Sequence, residues 1–178
     1  RQMCIRDRAK VKATDVDYAI IRCGYGDDET SQDDPYWKTN ADACTKEGIP
    51  FGTYIYSYAD SVTAAKSEAN HVLRLIKGYN LSYPIYYDLE ENSVREKLST
   101  KEIAEVAQTF CSIIEDAGYD VAVYANKDWF TNYLTDSYFD TVDHWVAQYN
   151  STCTYQGEYS MWQCTDSGTV DGIDGKVD

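Results

Sequence analysis

The chain has 178 residues, 43% of them hydrophobic, and 16 Lys+Arg against 30 Asp+Glu for a formal net charge of −14, which provides core material for one domain. The acidity excludes a surface built to neutralise phosphates, since nucleic acids and anionic membranes demand clustered Lys and Arg. No run approaches the roughly 18 apolar residues of a helical membrane span.

Residues 1–9 read as a leader outside the fold: four of the first ten residues are basic, Met3 follows two other residues, and no apolar signal region is visible. One domain is expected over 10–178. Strand signals fall at 18–23, 51–58, 84–90, 121–125, 145–149 and 160–165, with a further strand opening near Lys176. Helical patterns lie between the early strands, over 36–47, 61–77 and 99–117. The first ends at Gly48, the second at Gly78, and the third opens with the capping box Ser99-x-x-Glu102 and stops at Gly118. Strands alternating with helices imply parallel βα units. The expected fold is an irregular TIM-like (β/α) barrel with fewer than eight helices and a helix-poor second half. Its strand count is one short of closure, so a truncated domain is expected.

The segment Pro84-Ile85-Tyr86-Tyr87-Asp88-Leu89-Glu90 carries the chemistry. Alternation sends Tyr86, Asp88 and Glu90 to one face and Tyr87 and Leu89 to the other. Apolar Leu89 belongs against helices, so the two carboxylates point into the barrel at the strand's C-terminal end, where barrel enzymes keep their active sites. Crowded carboxylates push one another's proton affinity up, which equips one of them as a general acid. Glu91 has the opposite parity and is expected in solvent. The 17 Tyr and 4 Trp offer flat apolar faces with polar rims, suited to sugar rings, although strands also favour Tyr. Of these, Tyr54, Tyr56, Tyr58, Tyr124, Trp145 and Tyr149 share the inward parity on neighbouring strands.

A hairpin turning at Glu158-Tyr159 would set Cys153 opposite Cys164, and a disulfide is expected there. Cys23, Cys44 and Cys111 show no ligand spacing and are expected as buried thiols. His71 and His144 fit neither a metal site nor a Ser-His-Asp triad, so no metal and no cofactor are expected. Gly24-Tyr25-Gly26 lacks the third glycine of a dinucleotide loop.

The ordered set Tyr18–Gly26, Ile49–Ala59, Pro84–Glu90, Val123–Asn126, Trp145–Tyr149 and Met161–Thr165 resembles the glycoside hydrolase family 25 lysozymes, which are N-acetylmuramidases. The resemblance implies an eight-stranded barrel with fewer helices that cleaves the β-1,4 bond between N-acetylmuramic acid and N-acetylglucosamine in peptidoglycan. By motif, Glu90 would be the general acid, and Asp88 would stabilise the sugar's positive charge or orient its acetamido group. Tyr54, Tyr56, Tyr124, Trp145, Gln163 and Asp178 would line the saccharide groove. A wall hydrolase of this kind is expected to be extracellular or wall-associated and monomeric, with peptidoglycan as its partner. The net charge of −14 would oppose its approach to anionic wall polymers. The family's opening Gly-Ile-Asp-Val-Ser strand has no counterpart here, so a catalytically impaired peptidoglycan-binding module is the alternative. A chitinase-like barrel would carry another acid two residues before Asp88, where this chain has Tyr86.

Overall fold

A computed structural model describes residues 4–5, 8–14 and 16–178 of the chain. Six parallel strands form one sheet in the order β2(Ala19–Tyr25), β3(Phe51–Tyr56), β4(Ile85–Asp88), β5(Val121–Asn126), β6(Asp143–Ala147), β7(Met161–Gln163). Of residues 1–9, expected as a leader, Cys4–Ile5 (β1) pair antiparallel with Ile173–Asp174 (β8), and Arg8 opens α1(Arg8–Lys12). The others of that stretch are outside the described residues, apart from Ala9 within α1.

The long helices lie where periodicity and caps place them: α2(Trp37–Glu47), α3(Val62–Leu75) and α5(Thr100–Asp116). Gly48 ends α2 in the left-handed conformation at φ 63°, which only glycine adopts without steric cost. Ser99 and Glu102 form the complete capping box of α5. Two short helices, α4(Asn92–Lys97) and α6(Lys127–Asn132), escape the sequence reading because six residues hold too few apolar repeats. Each is announced only by its cap. The Glu91 carboxylate accepts from Ser93 N at 3.0 Å, and Asn126 Oδ1 accepts from Trp129 N at 3.1 Å. Glu91 is therefore not a free solvated acid.

Parallel strands bury both faces, and the two faces here have different coverings. The outer face packs on the helices through Ile55, Tyr87, Leu89, Val123 and Val146, joined by Phe110, Ile103 and Ile114 of α5. Tyr87 stacks on Phe110 with centroids 3.8 Å apart and planes 4° from parallel. The inner face closes on itself around Tyr86, Ala122, Tyr124 and Ala147, with Tyr54, Trp145 and Met161 against them. This sheet curls as the expected TIM-like barrel does, with six helices among the described residues.

The β2–α2 connection is locked from α3. His71 is buried, with Nδ1 3.0 Å from Gly26 O and Nε2 2.9 Å from Asp33 Oδ1, while Arg74 pairs with Asp28 and Asp33. A Cβ at Gly24 would lie 2.8 Å from the His71 ring and 2.9 Å from Gln32 O. The Gly24-Tyr25-Gly26 motif thus serves close packing.

The expected Cys153–Cys164 disulfide is not formed; both are free thiols. The reason is strand direction. β7 runs parallel to β6, so residues 148–160 are a return crossover, with Ser160 N bonding His144 O near the start of β6 at 3.0 Å. Cys153 consequently packs toward the outer core, whereas Cys164 borders the inner cleft. Cys23, Cys44 and Cys111 are buried, as expected, and burial pushes the Cys23 and Cys111 thiols up to about 12.

Phe110→Ala removes the ring that covers Tyr87 and leaves a void between α5 and β4. It is expected to cost about 3–5 kcal/mol of unfolding free energy in urea denaturation.

Candidate active site

The strand register assembles the site in layers, as in a barrel core. Tyr56, Asp88, Tyr124, Trp145 and Met161 are successive register partners across β3 to β7. Tyr54 and Tyr86 form the layer below. Asn126, Ala147 and Gln163 form the layer above, at the sheet's C-terminal edge, and Glu90 follows the end of β4. All eight residues expected at the site, Tyr54, Tyr56, Asp88, Glu90, Tyr124, Trp145, Gln163 and Asp178, border one cleft of about 620 Å³.

Asp88 is 3% exposed, and its Oδ1 has no hydrogen-bond partner among the described residues. Burial first, and then the charge of Glu90, push its carboxyl well above the ordinary carboxylate range. Burial also raises Glu90, with Asp178 adding to the rise and a hydrogen bond from the Asn126 side chain opposing it. Because the Asn126 carbonyl is taken as the α6 cap, its amide N–H remains for Glu90.

Other contacts hold the walls. Tyr56 Oη donates to Glu91 Oε2 at 3.1 Å, and Tyr124 Oη donates to Gln163 Oε1 at 2.7 Å. Trp145 stands edge-on to Tyr86 and Tyr124, with centroids 4.9 and 4.7 Å away. Its buried indole Nε1–H, like Asp88 Oδ1, has no partner among the described residues. Arg22 lies in the cleft wall, paired with Asp34 at 2.7 Å.

Behind the site, buried Glu68 of α3 accepts from Ser57 Oγ at 2.8 Å, Tyr87 Oη at 2.6 Å and Tyr58 N at 2.8 Å. Burial raises its carboxyl and these three bonds oppose the rise. They tie the end of β3 to β4, where Ser57 N also donates to Asp88 O at 3.0 Å. Sequence reasoning missed Glu68, Asn126, Glu91 and Arg22. Only the helical position of Glu68, among the apolar residues Ala65, Ala69 and Val72, hinted at burial. Among the described residues no group of three or more His, Cys, Asp or Glu could hold a metal ion.

The sequence profile of glycosyl hydrolases family 25 matches residues 5–173. This chain belongs to that family. An autolytic lysozyme of Clostridium acetobutylicum is 30% identical over 172 residues, 94% of this chain and 49% of that protein. The modular autolysin LytC from Streptococcus pneumoniae has the same fold, with TM-score 0.86 and 31% identity over 97% of this chain and 42% of LytC. LytC has also been solved in complex with a synthetic peptidoglycan ligand. A bacterial lysozyme from Streptomyces coelicolor shares the fold at TM-score 0.81 and 22% identity, over 96% of this chain and 83% of that one. The chain spans about half the length of the curated relatives it matches.

The raised carboxyl of Asp88 has a stability consequence. The folded state holds its proton more tightly than the unfolded chain does, so stability falls as pH rises above the ordinary carboxylate range. Asp88→Asn keeps the shape and removes that term. It is expected to raise stability at pH 7 and to leave it unchanged near pH 3, in paired urea titrations.

Proposed function

We propose that the chain is a muramidase that hydrolyses the β-1,4 bond between N-acetylmuramic acid and N-acetylglucosamine in peptidoglycan. The observation that carries this reading is a pair of orphaned polar atoms in the wall of one cleft. Asp88 Oδ1 accepts and Trp145 Nε1–H donates, and neither has a partner among the described residues. Buried polar atoms without partners are costly, and an acetamido substituent offers one N–H and one C=O. Family membership and LytC's peptidoglycan complex favour the same substrate.

In this reading the sugar rings lie on Tyr56, Tyr124 and Trp145, which present faces and edges to the cleft. Glu90 is the general acid. Its raised proton affinity leaves it protonated where an exposed glutamate is ionised, and it passes that proton to the leaving oxygen. The Asn126 amide holds the carboxyl in place before and after the transfer. Asp88 lies one layer deeper, where it orients the acetamido group. Tyr54 and Asp178 complete the groove, and Gln163 fixes the Tyr124 hydroxyl. The enzyme works outside the membrane, at the wall, as a monomer.

Glu90→Gln retains the hydrogen-bonding shape and loses the proton. Clearing of purified bacterial walls is expected to fall about 10²–10⁴-fold, while pull-down with insoluble walls persists. Equal clearing by the parent and Glu90→Gln would overturn the assignment of the acid. A parent protein that binds walls but releases no reducing ends would be a binding module.

A further inference from the structure

Glu90 stands between two cavities. One is the cleft; the other is a side pocket of about 340 Å³ at the C-terminal ends of β5 and β6, bordered by Asn126, Lys127, Gln148 and Tyr149.

The charges around the two cavities are unequal. Asp88, Glu90, Asp166 and Asp178 bring acids to the cleft. Its cation Arg22 is paired with Asp34. In the side pocket, Asp128 is engaged elsewhere, with Oδ2 on Arg95 at 3.1 Å and Oδ1 accepting from Asn132 Nδ2 at 2.8 Å. Lys127 has no acidic partner among the described residues. Its Nζ donates to Thr154 Oγ1 at 2.7 Å. Thr154 is itself clamped by Gln148, which donates from Nε2 to Oγ1 at 2.9 Å and accepts from Thr154 N at 2.8 Å. The ammonium is thus positioned by a neutral hydroxyl, with its charge uncompensated and donors to spare.

We propose that this side pocket is an anion subsite in which Lys127 binds a carboxylate carried at the 3-O-lactyl position of the muramyl sugar. The proposal rests on the muramidase reading of the adjoining cleft and names what distinguishes wall glycan from uncharged polymers of N-acetylglucosamine. The carboxylate has two sources, the free lactyl acid of peptide-free glycan or an acid within an attached peptide. A chain of net charge −14 repels polyanions at long range. Screening confines that repulsion to within about 8 Å at physiological salt, so one fixed cation beside the bond decides locally.

The test measures binding with Glu90→Gln protein, so that ligands survive, by calorimetry on three tetrasaccharides. These are a chito-oligosaccharide, a peptide-free muramyl glycan and the same glycan bearing peptides. Adding Lys127→Met is expected to raise Kd about 3- to 10-fold for muramyl ligands, the size of one partly exposed ion pair. The chito-oligosaccharide should be unaffected, and Lys127→Arg should restore most of the loss. A loss on the peptide-free glycan assigns the lactyl carboxylate; a loss confined to the peptide-bearing glycan assigns the peptide. Equal losses on all three ligands, no loss on either muramyl ligand, or no binding of muramyl ligands before the change would each overturn the proposal. Wall clearing by the parent protein is scored separately. Charge-selective binding without clearing would keep the subsite and discard the muramidase.

Discussion

Strand β4 has no face to give to water. Ile85, Tyr86, Tyr87 and Asp88 are all buried, and the remainder of the molecule is arranged around that constraint. The outward residues meet helix α5 through the Tyr87–Phe110 stack. The inward ones must be covered by side chains of the same sheet, which requires it to curl. Large rings with polar tips fill such an interior economically. A phenol reaches across the lumen and still ends in a hydrogen bond, as Tyr124 does on Gln163. The abundance of tyrosine in this chain is in part a consequence of geometry.

The same constraint governs the electrostatics. A carboxylate placed inward on β4 loses its water, and the neighbouring Glu90 adds repulsion. A third acid, Glu68, is equally buried on the opposite side of the sheet, yet both of its oxygens are occupied. The contrast separates two uses of a buried acid. Glu68 is satisfied and holds β3 against β4; Asp88, in the cleft wall, keeps an oxygen unpaired among the described residues. Unmet hydrogen-bonding capacity is tolerated where a ligand can meet it.

Much of this was legible along the chain because it is written in local periods. The two-residue period of Pro84–Glu90 sorted Asp88 and Glu90 inward and Tyr87 and Leu89 outward, and Ser99 with Glu102 marked the start of α5. What was not legible depends on partners distant in sequence. Arg22 finds Asp34 and His71 finds Gly26 only after folding. The thiols of Cys153 and Cys164 fit a hairpin as readily as a crossover, since local spacing does not encode the direction in which a strand pairs. Glu91 and Asn126 lay unnoticed because the helices they cap are too short to announce themselves.

The crossover between β6 and β7 contains no helix. Residues 148–160 are held by side-chain bonds, Gln148 to Thr154 and Lys127 to Thr154, and by Trp162 Nε1 donating to Gln148 O at 2.9 Å. Apart from Tyr149, which hydrogen-bonds Tyr124, the segment's anchors lie outside the sheet's inner layers around Asp88. This segment can therefore lengthen, shorten or change composition over evolutionary time while the carboxylate strand is left undisturbed. Selection for different wall chemistries has here a wall of the site that can diverge independently of the barrel that supports it.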